Sequence, residues 1–400
     1  MKIFNEYELK EVTHKTEIEL IRKSDIQLSG WELGNLLSKM AIYAYRFELI
    51  NTISLALHNG VDPRNIFILD HSFELNTSYS DLEFVYLESS DIINIYNIGK
   101  PISLFPNDEI FKLNILFRLI YNINEKFKAN HIRGVPVESL CKYINKFSRL
   151  DAENIISNFY NDLVKTYRFK DDEKLLSEIN NIFEEIKKTN NKYTTDAVER
   201  ESIDRQLRNN ESREGKYSYE IYKEYFEQFY FYLMNIPRPV VGIYCEEDKK
   251  IQILCIAQIN RKLRNETFFD IKSISHNSPL EVIIQLGTAA TILLGIIYKC
   301  GENSRAREKH QKEVALLDKQ AKTEEMKQDT EKIKQEALSD YISRHRPSIE
   351  KPLDNKFIQD RLQHSAGKVI RNFENTLYSN KIALKSDKIK IIKSNIDYRV

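Results

Sequence analysis

The chain has 400 residues, of which 42% are apolar and 30% charged, with a formal net charge of +1. That length allows two or three domains with real cores. The near-neutral balance excludes a globally basic nucleic-acid binder. Cys141, Cys245, Cys255 and Cys300 form no Cys-x-x-Cys pair, which excludes a zinc-ligand set and leaves reduced thiols as the expectation.

The first twenty residues, MKIFNEYELKEVTHKTEIEL, are too charged for a signal peptide, so the bulk of the chain is expected in the cytoplasm. The first twenty-five alternate loosely and suit a strand or two. Ser29-Gly30-Trp31-Glu32 has capping-box spacing, and one long helix is expected from there to Asn59-Gly60. Asp62-Pro63 marks a turn, and residues 66–70, IFILD, read as a strand. Mostly helical segments follow from Asn107 to Lys187, with a break expected at 187–193 and a solvated helix or linker running on to Glu214. The aromatic stretch 217–236 puts Tyr222, Tyr225, Phe226, Phe229 and Leu233 at helical spacing. It is expected to face a core, because Glu and Gln interleave its rings where a base-stacking surface would carry cations.

Beyond Pro237 and Pro239 the period changes to two. VVGIYC, IQILCIAQIN and TFFDIKSIS read as three strands of one small, mostly antiparallel sheet. An apolar stretch follows, with about seventeen uncharged residues after Glu281. Ser278 can cap it, Pro279 fits the first helical position, and Glu281 closes a capping box. Twenty residues from Pro279 to Tyr298 would make about 30 Å of helix, the thickness of bilayer hydrocarbon. Gly287, Thr291 and Gly295 form a small-residue stripe suited to close helix contact, and Gln285, Thr288 and Thr291 are polar groups that sister copies would have to satisfy. The alternative is a central helix buried in its own domain. A charged helix over 300–345 and a shorter helix near 356–377 come next, then two short strand-like runs with Lys381, Lys385, Lys388, Lys390 and Lys393. That lysine cluster is either a solvated face or a site for anionic headgroups.

No catalytic motif appears: there is no phosphate-binding glycine loop, no His-Glu-x-x-His and no Gly-x-Ser-x-Gly. Asp70-His71 ends a predicted strand, a position that can host chemistry, but no nucleophile accompanies it. His276 reads as a local turn residue. No catalytic residue, metal or cofactor is assigned, and a non-enzyme is expected.

The strands followed by HNSPLE and a hydrophobic helix, over Val240–Lys299, resemble membrane effectors of bacterial antiphage defence. The likeness is to the channel-like effectors of Hailong-type systems, and the segment Trp31-Glu32-Leu33-Gly34 through Met40 is compatible with it. The resemblance implies a multimeric ion channel, held closed by a nucleotide or oligonucleotide signal from a partner nucleotidyltransferase. It supplies no ligand-binding residues, so that site stays unassigned.

The expected architecture is α+β: a helical α+β domain over 1–190, a charged and aromatic connector over 191–236, a small sheet over 237–277 and a transmembrane helix over 278–299. A charged helix over 300–345 and an α/β extension over 346–400 complete it. The expected function is a homo-oligomeric, ligand-gated channel or pore in the inner membrane, with a cytoplasmic N-terminal domain and the bilayer as partner. The alternative is a soluble oligomeric scaffold or regulatory protein with a buried central helix.

Overall fold

A computed structural model describes residues 14–22, 24, 27–73, 83–87, 89–136, 138–147, 152–167, 172–209, 217–255, 269–275, 281–286, 356–384 and 390–393. In chain order the elements are β1 (His14–Arg22), α1 (Gly30–His58), β2 (Ile66–Ser72), β3 (Phe84–Tyr86), α2 (Ile92–Ile98), β4 (Pro101–Ser103), α3 (Asp108–Ala129), α4 (Glu138–Phe147), α5 (Ala152–Thr166), α6 (Glu173–Asn209) and α7 (Tyr217–Asn235). They continue with β5 (Pro239–Cys245), β6 (Lys250–Ile253), β7 (Phe269–Ser275), β8 (Glu281–Leu286), α8 (Lys356–Ser379), β9 (Ile382–Leu384) and β10 (Lys390–Lys393). The chain is mostly helical, with open antiparallel sheets. It divides into two compact units, one of residues 62–254 and one of 2–61 with 255–400.

In unit 62–254 the strands order as β3-β6-β5-β2-β4, every neighbouring pair antiparallel. β5 is central and all seven of its residues are buried, which is why it reads as an apolar run rather than as an alternation. Gly242 of β5 makes room for the ring of Phe67 opposite it. α3 starts on Asn107, whose side chain accepts from the backbone N–H groups of Glu109 and Ile110. Asp108 and Glu109 lie in its first turn and Lys126 and Lys128 in its last, matching the helix dipole. Ile110, Leu113, Phe117, Ile120 and Phe127 form its buried stripe. The break expected at 187–193 does not occur, because α6 runs through it. Tyr193 stacks on Phe111 at 3.7 Å and its hydroxyl donates to Asp108 at 2.8 Å, pinning that turn to α3.

In the other unit the helix-start signal at Ser29 holds. Its side chain accepts from the Glu32 N–H while the Glu32 carboxylate accepts from the Ser29 N–H. From Ala44 to Leu57 every residue of α1 is buried. α8 lies antiparallel along it: Tyr43 meets the Phe373 ring at 6.1 Å, and near the other end Ser54 donates to Gln359 at 2.6 Å. The second sheet orders as β10-β1-β8-β7, with β9 also pairing β1. The strands expected as one sheet are thus divided: β5 and β6 belong to the first sheet, β7 to the second.

The membrane expectation is overturned here. Glu281–Leu286 is not the first turns of a helix but strand β8, paired with β1 on one side and β7 on the other. Glu281 therefore opens a strand and closes no capping box. Removing 281–286 from the span leaves about twelve uncharged residues before Lys299. As a helix these would reach about 18 Å, well short of the hydrocarbon thickness. Among the described residues no helix is long and apolar enough to cross a membrane. The transmembrane helix, the channel or pore built on it and the seat in the inner membrane are all withdrawn. Val282, Ile283 and Ile284 are β-branched, and a short run of that kind suits a doubly paired strand as well as a helix. Ser278, Pro279, Gly287, Thr288, Thr291 and Gly295 lie outside the described residues, as do His276 and the charged stretch 300–345.

Candidate functional site

Gln285, expected to line a channel, sits in β8 opposite Glu17 of β1 and Asp270 of β7. Of the lysine cluster, Lys381 occupies a turn with positive φ, and Lys390 and Lys393 lie in β10.

Asp70-His71, in contrast, lies at the centre of a convergence. The register of β2 and β4 pairs Leu69 with Pro101, so Asp70 stands opposite Lys100. The Asp70 N–H donates to the Lys100 carbonyl at 3.1 Å. The Lys100 N–H returns a bond to Asp70 Oδ1 at 2.8 Å, and its ammonium meets Oδ2 at 3.0 Å. His71 Nδ1 lies 2.7 Å from Oδ1. An ionised carboxylate can only accept, so Nδ1 carries the proton there. The Asp70 side chain is 8% exposed and that of His71 60%. Gly99 lets the backbone approach this closely, since a Cβ at that position would fall 2.5 Å from Oδ1.

Helices α3 and α7 flank this lock with aromatic rings. The Lys100 ammonium lies 5.1 Å from the centre of the Tyr121 ring. The Tyr232 hydroxyl is held above its ordinary value, first by burial and then by the negative charge of Asp70. Phe231 meets Tyr232 edge to face at 5.4 Å. Tyr121 is 47% and Phe231 58% exposed. One step along the sheet, Ser72 accepts from the Arg238 N–H and donates to the Arg238 carbonyl. The Arg238 guanidinium lies 5.5 Å from the Phe73 ring, its Nε sealed from solvent with no hydrogen-bond acceptor among the described residues. On α3, Arg118 stands one turn before Tyr121 on the same face as Asn114, which donates to the Pro101 carbonyl at 2.8 Å.

The polar groups of this arrangement are committed to one another. Both oxygens of Asp70 are occupied by three donors, and the Ser72 hydroxyl is used in both directions by Arg238. No group of side chains among the described residues could hold a metal ion. Two other clefts in this unit lie between helices. One, of about 340 Å³ between α3 and α6, contains the Lys126–Glu178 ion pair at 3.1 Å. The other, of about 410 Å³ between α5 and α6, contains the Tyr160–Asn180 hydrogen bond.

Sequence reading found Asp70 and His71 but missed Lys100, Tyr121, Tyr232 and Gly99. Only the strand pairing brings these to one place, and the one local signal was a glycine immediately before Lys100-Pro101. No family model, no curated protein and no solved structure matches the chain.

Proposed function

We propose that the chain is a non-catalytic scaffold or regulatory protein that recognises another macromolecule through the Asp70–Lys100 surface. The observation that carries this reading is the contrast at Asp70. Its carboxylate is committed to holding two strands together. Two rings of the flanking helices stand in water: Tyr121, which meets Lys100, and Phe231, which meets Tyr232, are among the large apolar side chains exposed among the described residues. A rigid base ringed by exposed Tyr and Phe, with arginine nearby, has the composition of a binding hot spot. The buried helix α1 adds a rigid frame to the other unit, as a scaffold requires.

The test compares two classes of variant for the cellular phenotype that deleting the gene produces. His71→Gln keeps size and hydrogen bonding but cannot exchange protons, and it is expected to leave the phenotype wild-type. Tyr121→Ser combined with Phe231→Ser is expected to reproduce the deletion while the protein stays folded. The opposite pattern would assign chemistry to His71 and overturn the reading.

A further inference from the structure

We infer that residues 62–254 form a domain inserted into a break in the other unit, and that this insert and its host unfold as two separate steps, the end of α1 being the clasp that closes the host. The inference goes beyond the binding role proposed above and does not depend on it.

The chain passes between the units twice, after Val61 and after Leu254. On the host side both crossings are tied to the last turns of α1. The outgoing chain is capped at Asn59, turns through Gly60 at a φ of 82°, and donates the Val61 N–H back to the Ala56 carbonyl at 3.0 Å. The incoming chain turns at Cys255, with a φ of 53°, and its sulfur lies 3.3 Å from Thr52 Oγ1. The Thr52 hydroxyl already gives its hydrogen to the Glu48 carbonyl at 2.9 Å, so the thiol is the donor. Both groups of this contact are buried. Thr52 and Ala56 stand one helical turn apart, about 6 Å along the axis. The host therefore loses and regains the chain at one place.

The insert is built to match. β2 begins soon after the first crossing, and its Ile68 pairs with Val241 of the central strand β5. Leu254, the last residue before the second crossing, donates its N–H to the Val241 carbonyl at 2.9 Å from the other side of β5. Ile68 and Leu254 are thus two strand spacings apart, about 10 Å.

Each unit also closes its own sheet. All five strands of the first come from residues 62–254, and all five of the second from the host. Phe67, Phe117 and Phe229 are fully buried in the insert, Phe47 and Phe373 in the host. Chain entropy makes the coupling weak and one-sided. With the insert unfolded, the host has one long loop to close, at a cost that grows only with the logarithm of loop length. The insert is continuous in sequence and has no loop to close when the host unfolds. Local opening in units of this kind is a general property of multidomain chains.

The experiment applies pulsed hydrogen–deuterium exchange, read by mass spectrometry, to the full chain at rising urea. Peptides of α3 and β5 report the insert, and peptides of α1 and α8 the host. Two midpoints are expected, one shared by α3 and β5 and the other by α1 and α8. Phe373→Ala, in the host core, should lower the α1 and α8 midpoint and leave that of α3 and β5 unmoved. Phe117→Ala, in the insert core, should lower the α3 and β5 midpoint by more than it lowers the other. Midpoints that coincide in the native protein and separate in Phe373→Ala support the inference equally. Where Phe373→Ala leaves the host unfolded without urea, protection kept in α3 and β5 supports it, and protection lost there overturns it. A single midpoint for all four segments that Phe373→Ala moves as one also overturns it.

Discussion

Gly99 and Asp70 are so closely apposed that the smallest side chain at position 99 collides with the carboxylate. A Cβ there would lie 2.5 Å from Asp70 Oδ1 and 3.1 Å from the His71 backbone nitrogen. Asp70 cannot swing aside without surrendering bonds from the Lys100 N–H, the Lys100 ammonium and His71. Gly99→Ala is therefore expected to destabilise the protein by about 1–3 kcal/mol, as overpacking does, read from urea denaturation midpoints. In an Asp70→Ala background the same change should cost clearly less, since the obstructing oxygen is gone. Equal costs in both backgrounds would mean that the contact is not what fixes glycine here.

The pairing of β1 with β8 gives a direct chemical test of the strand that replaces the expected membrane helix. Glu17 and Gln285 are register partners, and antiparallel partners bring their Cα atoms to about 4.5–5.5 Å, within disulfide range. Glu17→Cys with Gln285→Cys is expected to crosslink under mild oxidation, detected by mass spectrometry of the digest. Glu17→Cys with Ile284→Cys should not, because neighbouring strand residues point to opposite faces. Crosslinking only in the second pair would shift the register by one residue and turn the strand over.

What could be read in the residues was what depends on near neighbours. The capping box at Ser29, the helix end at Asn59-Gly60 and the strand at Ile66 are local chemistry, and each stands as expected. The core-facing side of α7 also follows from spacing, with Phe226, Phe229 and Leu233 buried. The misreadings share one cause, which is that long-range pairing decided the outcome. Val282–Leu286 has the apolarity of a helix, and only the presence of β1 and β7 on either side makes it a strand. A turn of polar residues at 187–193 looked like a break until Tyr193 found Phe111 and Asp108, many residues earlier in the chain. The site followed the same rule: Asp70-His71 was visible, but Lys100 becomes its partner only through the β2–β4 register.

Tyr143 should leave an alkaline signature in the stability of the unit that contains it. It is buried, at 3% exposed, and donates a short hydrogen bond to Asp162. Burial first, then that bond and the carboxylate's charge, hold its hydroxyl well above the ordinary value of 10.0. A proton held more tightly in the folded state stabilises fully below the unfolded value and is lost as pH rises past it. Stability is therefore expected to be level through neutral pH and to fall above about pH 10. Tyr143→Phe should cost about 1 kcal/mol at pH 7 through the lost bond and flatten part of the alkaline fall. Some slope should remain, because Tyr96 and Tyr244 are held up by burial in the same way. An unchanged slope in Tyr143→Phe would show that this hydroxyl ionises as readily folded as unfolded.

The Ser29 cap carries its own reporter, since the only tryptophan of the chain, Trp31, lies two residues inside it and is 92% exposed. Ser29→Ala removes the acceptor for the Glu32 N–H and is expected to cost about 0.5–2 kcal/mol, the usual range for a lost N-cap. Ser29→Asp, which can still cap, should recover most of it. The Glu32 carboxyl is held below its ordinary value first by the bond from the Ser29 backbone and then by that from its hydroxyl. A depressed carboxyl stabilises above its unfolded value and loses that contribution as pH falls through the folded one. Amide exchange at Trp31–Leu33, or Trp31 fluorescence quenching, should then show the first turn of α1 loosening as the solution is acidified. In Ser29→Ala the turn should already be loose at neutral pH and respond less to acid. A first turn that stays equally protected in both proteins across that range would mean that packing along α1, not its cap, fixes where the helix begins.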